Sequence, residues 1–262
     1  MTAYVPVRQA YEETCESILA EWLGDHLPVS NLWHGFSANH CPEPYLDFAA
    51  ADHSAMWVTH NPGRGEDFQL RGSVDEQWSP IRSDISYSEN AKRLASGYAG
   101  YGALKISAAA RARVAGMKHL AAQLGFAGLR QIELFPLHSE NRPPDDFLFG
   151  NPDLAEPLRS YGTKARELIA ASPMVIGLCG SAPDASGKAV GSWSKALALN
   201  LERAECVTLS RGTGPPTVGM FVNRSGPRVS VLFCRQGSNG LPAKDLMPMV
   251  TERIRAALSD RV

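Results

Sequence analysis

Between residues 55 and 72 an apolar run gives way to side chains that can do chemistry. Ala55 to Val58 reads as a buried strand, and it stops at His60-Asn61-Pro62-Gly63, a cluster that breaks regular structure. In α/β proteins ligands bind in the crevice outside the carboxyl ends of the strands. Asn61 therefore stands where chemistry tends to occur. Gly63 has no Cβ and Pro62 fixes φ, so the backbone there can pass close to a ligand. Glu66 and Asp67 follow as the nearest carboxylates, and Phe68 is an aromatic in an otherwise polar stretch.

The elements that must position these residues alternate along the chain. An acidic amphipathic helix is expected over 5–27, then loop over 28–54 with a turn at Pro42-Glu43-Pro44. The first strand, 55–60, leads into a long polar loop reaching about residue 88, and loops of that length in a compact domain are usually functional. Helix is expected over 89–125, interrupted near Gly97–Gly102. A second strand covers 129–136, and a helix 158–171. A third strand covers 173–179, and a helix 193–201. Strands at 206–209, 217–222 and 229–234 come next, with Gly226-Pro227 suited to a hairpin, and a helix over 243–258 closes the chain. The alternation argues for an α/β fold with a mainly parallel sheet covered on both faces. Four strand ends carry polar loops, at 60–72, 136–146, 179–183 and 234–241.

The chain has 262 residues, 44% hydrophobic and 20% charged, which is enough for one sizeable core. No run of 18 apolar residues suggests a membrane span, and the first residues lack a basic stretch followed by an apolar one. The five cysteines, Cys15, Cys41, Cys179, Cys206 and Cys234, are scattered, so neither a disulfide framework nor a metal cluster is expected, and a reducing cytoplasm is the default. The net charge of −1 is uneven: residues 1–60 hold Arg8 against eight acids, and 201–262 hold nine Lys and Arg against five acids. A basic C-terminal third suits phosphates or is ordinary solvated charge.

These loops, with these residues, resemble the uracil-DNA glycosylase superfamily over roughly 55–258. Asn61-Pro62-Gly63 resembles the Asn-Pro-Gly of its mismatch-specific and single-strand-selective branches. Pro62-Gly63-x-x-Glu66-Asp67 is similar to the first motif of its iron-sulfur branch, and Asn141-Arg142-x-Pro144 resembles the segment after strand two there. The resemblance implies a three-layer α/β/α fold around a central, mainly parallel four-stranded sheet. It implies one domain over 1–262, with 1–54 as an N-terminal helix and loop extension, and a monofunctional DNA glycosylase that needs no cofactor or metal. DNA is the expected partner, with no membrane, and a monomer is expected.

Such a reaction must flip the base out, stabilise an oxocarbenium-like sugar and a departing anionic base, and orient a water. Asn61 is then the water-orienting residue, with Glu66 and Asp67 supplying charge; the alternatives are a turn asparagine and a solvated acidic pair. Phe68 is a stacking candidate, against core packing. Where the family closes its site with His-Pro-Ser, this chain has Phe233-Cys-Arg235-Gln236-Gly237-Ser238-Asn239 and no histidine. Arg235, Gln236, Ser238 and Asn239 suit phosphate contact, and Lys188 lies in a loop that can carry it to DNA.

The family reads uracil with an asparagine on strand two, and that register falls near Ile132–Glu133. A carboxylate only accepts hydrogen bonds. Glu133 would pair with the exocyclic amine of cytosine and repel uracil O4. The expectation is a modified, cytosine-derived base, as in phage DNA and phage defence, with His138 contacting base or phosphate. The alternative for Glu133 is a solvent-facing residue at a sheet edge. Conventional uracil removal and a catalytically inactive DNA- or nucleotide-binding module remain open. Gly180–Lys188 has the wrong spacing for a phosphate loop, and no serine-hydrolase elbow is present.

Overall fold

A computed structural model describes residues 4–24, 26–27, 36, 40–48, 54–59, 84–98, 108–139, 156–179, 204–209, 218–223, 229–234 and 246–259. Helices are α1 (Tyr4–Leu23), α2 (Tyr87–Tyr98), α3 (Ala108–Gln123), α4 (Glu156–Ala171) and α5 (Met247–Ser259). Strands are β1 (Tyr45–Phe48), β2 (Ser54–Thr59), β3 (Gly128–Glu133), β4 (Met174–Cys179), β5 (Ala204–Leu209), β6 (Val218–Asn223) and β7 (Val229–Cys234). Hydrogen bonds order the strands β1-β3-β2-β4-β7-β6-β5. The fold is α/β, as expected.

The sheet is mixed rather than mainly parallel and four-stranded. β2 pairs in parallel with β4, and β4 with β7, whereas β7–β6 and β6–β5 are antiparallel. Consecutive strands joined by short connections need no crossover helix and fold back as hairpins. The β6–β7 pair is antiparallel, and Gly226-Pro227, expected to turn it, lies outside the described residues. The other departure is β1, read from sequence as loop. Tyr45-Leu46-Asp47-Phe48 is short and carries an acid, yet all four residues are buried. The helix expected over 193–201 lies outside the described residues.

Contacts divide the chain into two compact units. The first comprises Met1–Phe48, Thr59–Arg111 and Gln131–Ala171, the second Ala49–Val58, Ala112–Arg130 and Ser172–Val262. In the first, α1 packs on α4, burying Tyr11, Cys15, Ile18, Leu19 and Trp22 on one side and Leu158, Tyr161, Ala165, Leu168 and Ile169 on the other. Ser86-x-x-Glu89 forms a capping box at the start of α2. The Glu89 amide donates to Ser86 Oγ at 3.2 Å, and the Ser86 amide donates back to Glu89 Oε2 at 3.1 Å. Glu16 of α1 adds a second cap, accepting from the Tyr87 amide at 2.8 Å.

In the second unit, β2, β4 and β7 run level: Val58 faces Gly177, and Gly177 faces Leu232. The carboxyl ends of these three strands are therefore level with one another. α3 ends in a Schellman motif. The Phe126 amide donates to Ala121 O and the Gly125 amide to Ala122 O, both at 3.0 Å, with Gly125 at φ 84°.

Candidate functional site

Of the residues singled out in the sequence, Asn61, Glu66, Asp67, Phe68, Lys188, Arg235, Gln236, Ser238 and Asn239 lie outside the described residues. Glu133 and His138 are described, and both belong to the first unit.

Glu133 ends β3 and is 3% exposed. Its strand lies between β1 and β2 in the sheet order, so the solvent-facing edge alternative does not hold. Its carboxylate is fixed by a short relay. Thr59 Oγ1 donates its one proton to Ile132 O at 3.2 Å, so its lone pairs are left to accept. Gln131 Nε2 supplies that bond at 3.3 Å and donates its other proton to Glu133 Oε1 at 2.7 Å. Both neighbours call for a donor, which orients the Gln131 amide. Residues 131 and 133 share a face because strand side chains alternate. Thr59 is the last residue of β2, and its carbonyl accepts from the Leu134 amide at 2.9 Å. Asn61 follows two residues later in the sequence.

The backbone of Glu133 is held as firmly. Its amide donates to Pro44 O at 2.9 Å, and its carbonyl accepts from the Tyr161 hydroxyl. Tyr11 joins this knot, donating to Pro44 O at 3.1 Å, with its oxygen 3.2 Å from that of Tyr161. Burial pushes the Tyr161 phenol well above its ordinary pKa. Cys15 and the Glu133 carboxylate add to the shift, and the bond with Tyr11 opposes it. Tyr161 is therefore a neutral, permanent donor.

The second group is centred on His138. The bridge between Phe36 and Ser139 is antiparallel, and the Glu43 amide donates to Pro136 O at 2.7 Å. Pro42-Glu43-Pro44 offers only that one amide N–H. Glu43 is thereby placed with Oε2 3.7 Å from His138 Nε2, ion-pair distance when the imidazole is protonated. The His40 ring stacks on His138 with centroids 5.3 Å apart and planes inclined by 29°. His138 is 2% exposed, and Glu43 and His40 are also buried. His138 is thus almost wholly enclosed by its neighbours. Burial raises the Tyr87 phenol well above its usual range, with Glu43 the next contributor. Glu133 and Glu43 thus each stand by a different neutral tyrosine.

Glu43, His40, Gln131 and Tyr161 were not found from the sequence. The one available signal was an acid between two prolines; the partners it meets are about ninety residues away. Chemically, the arrangement offers a fixed acceptor in Glu133, a half-buried amide in Gln131 and a carboxylate–imidazole pair able to hold a proton. Among the described residues no group of three or more His, Cys, Asp or Glu can hold a metal ion, and no helix is long and apolar enough to cross a membrane. Compared with family models, curated proteins and solved structures, the chain matches none.

Proposed function

We propose that this chain is a monofunctional DNA glycosylase that hydrolyses the N-glycosidic bond of a flipped, cytosine-derived base and leaves an abasic site. The three-layer arrangement of uracil-DNA glycosylases is part of this proposal. The observation that carries it is the buried Glu133 carboxylate at the carboxyl end of β3, tied through Gln131 to Thr59 at the end of β2. A carboxylate held there accepts from an exocyclic amine and repels a carbonyl. Asn61, two residues beyond Thr59, is the water-orienting residue, with Glu66 and Asp67 as nearby charge. Phe68 stacks on the base, and Arg235, Gln236, Ser238, Asn239 and Lys188 contact the backbone. The protein acts in the cytoplasm as a monomer, against modified phage DNA.

The test is incubation with duplexes carrying uracil, hydroxymethylcytosine or its glucosylated form, followed by cleavage at abasic sites. Product from a modified cytosine, abolished in Asn61→Ala, is the expected result. Product from uracil alone sinks the modified-base reading. That second reading, uracil removal, has one observation in its favour. Gln131 shares a face with Glu133 and keeps its amide oxygen for a uracil N3–H, because its nitrogen is committed to Thr59 and Glu133.

A further inference from the structure

We infer that Cys179 and Cys234 form a dithiol site that exchanges with small-molecule disulfides and closes reversibly into a bridge between β4 and β7. The two strands are parallel, and their register sets Cys179 level with Cys234, each the last residue of its strand. Residues level on neighbouring strands lie on the same face of a sheet. Strand spacing is about 4.7–4.9 Å, inside the roughly 4.4–6.8 Å between Cα atoms that a disulfide spans. Among the described pairs of β2, β4, β5, β6 and β7, no other sets cysteine against cysteine. The row continues through Gly219 to Thr208. Gly219 adds no side chain to it, and a glycine within a strand often marks a close approach by a ligand. The pair also ends two parallel strands, the side of an α/β sheet at which ligands bind. Tetrahedral zinc needs four ligands, and the row offers two cysteines.

Disulfides in a reducing compartment are usually transient, catalytic or sensing, and this register favours a labile bond. Side chains level on parallel strands leave Cβ atoms about one strand spacing apart, against about 3.5–4.5 Å in a relaxed bridge. Closure must draw the strand ends together, and such strain makes a disulfide easier to reduce. The steps balance with oxidised glutathione as the oxidant. One cysteine loses its proton to solvent, and its thiolate attacks a glutathione sulfur. That step leaves a mixed disulfide and releases one glutathione thiolate, which takes up a proton. The second cysteine thiolate attacks the protein sulfur of the mixed disulfide, forms the Cys179–Cys234 bond and releases the second glutathione. Two protein thiols are oxidised and one glutathione disulfide is reduced. Base excision plays no part in this chemistry.

The reduced full chain is equilibrated with mixtures of oxidised and reduced glutathione, quenched in acid and alkylated with N-ethylmaleimide in urea. Peptide mapping by mass spectrometry then locates each cysteine. Rising oxidised glutathione should give one bridge, Cys179 to Cys234, with Cys15, Cys41 and Cys206 alkylated, and dithiothreitol should reverse it. Cys15 and Cys41 are free and buried in the first unit. Chain entropy favours other pairs. Cys206 is about half as far along the sequence from either partner, a preference of roughly threefold in an unfolded chain. Selective closure of the longer loop therefore reports the strand register, and oxidation in urea should lose that selectivity. One of Cys179→Ser and Cys234→Ser should carry glutathione on its remaining thiol, and Cys206→Ser should keep the bridge. Absence of the Cys179–Cys234 bridge at every glutathione ratio overturns the site, as does a bridge through Cys206 or the same products in urea. Glutathione on neither single variant overturns the exchange step. The wild-type map decides alone where a serine substitution prevents folding.

Discussion

Tyr161→Phe should test the knot that positions Glu133. The substitution removes one oxygen and creates almost no cavity, so its effect reports hydrogen bonding. The hydroxyl donates to Glu133 O, and Tyr161 is fully buried. Losing that hydroxyl takes a donor from two buried carbonyls, Glu133 O and Pro44 O at 3.3 Å, which at about 0.5–1.5 kcal/mol each costs about 1–3 kcal/mol. Tyr11→Phe is the control. Its acceptor, Pro44 O, keeps the Glu133 amide at 2.9 Å, so only an ordinary net bond of about 0.5–1.5 kcal/mol is lost. The two hydroxyl oxygens lie 3.2 Å apart, so each single variant also breaks their shared contact, and the double variant should cost less than the sum. Urea unfolding of the full chain followed by far-ultraviolet circular dichroism gives all three values. A Tyr11→Phe loss equal to or larger than that of Tyr161→Phe refutes the assignment of donors, and strict additivity refutes the coupling.

Three further outcomes follow from described contacts. Tyr161 and Tyr87 hold their protons more tightly folded than unfolded, so their stabilisation is complete below the ordinary phenol pKa of about 10 and is lost as pH rises above it. Each group should steepen that loss by up to about 1.4 kcal/mol per pH unit; a Tyr87→Phe variant with the wild-type slope in alkaline urea titrations contradicts it. Gly125→Ala meets no atom within 4 Å, so its penalty is purely the left-handed backbone, about 1–2 kcal/mol by urea midpoint. No loss would mean the Schellman turn is absent. Ser86→Ala should cost about 0.5–2 kcal/mol, and adding Glu89→Ala should cost little more, because the box acts as a unit. Independent losses in a double-mutant cycle would argue against reciprocal capping.

What could be read from the sequence was whatever local pattern decides. Met174 to Cys179 and Ala55 to Val58 are uninterrupted small or apolar runs, and both are strands. Glu133, which the resemblance puts near the base-reading register, is buried at a strand end. β1 escaped because four residues containing Asp47 carry too little periodicity, and their burial depends on neighbours distant in the chain. His40 and Glu43 escaped for the same reason: their partner at 138 is chosen by antiparallel pairing, which no local spacing records. The β5–β6–β7 section was legible as strands, with a β6–β7 hairpin suggested by Gly226-Pro227, but the antiparallel β5–β6 pairing was not, since direction depends on the connections rather than on the strands.

The packing of α1 on α4 also has a consequence for synthesis. α1 ends at Leu23 and its partner begins at Glu156. At about 5–20 residues per second the ribosome needs roughly 7–30 s to make the intervening chain. For that time Tyr11, Cys15, Ile18, Leu19 and Trp22 have no α4 to pack against. The nascent chain therefore presents a sticky amphipathic helix first and its cover late, a natural substrate for a holdase chaperone.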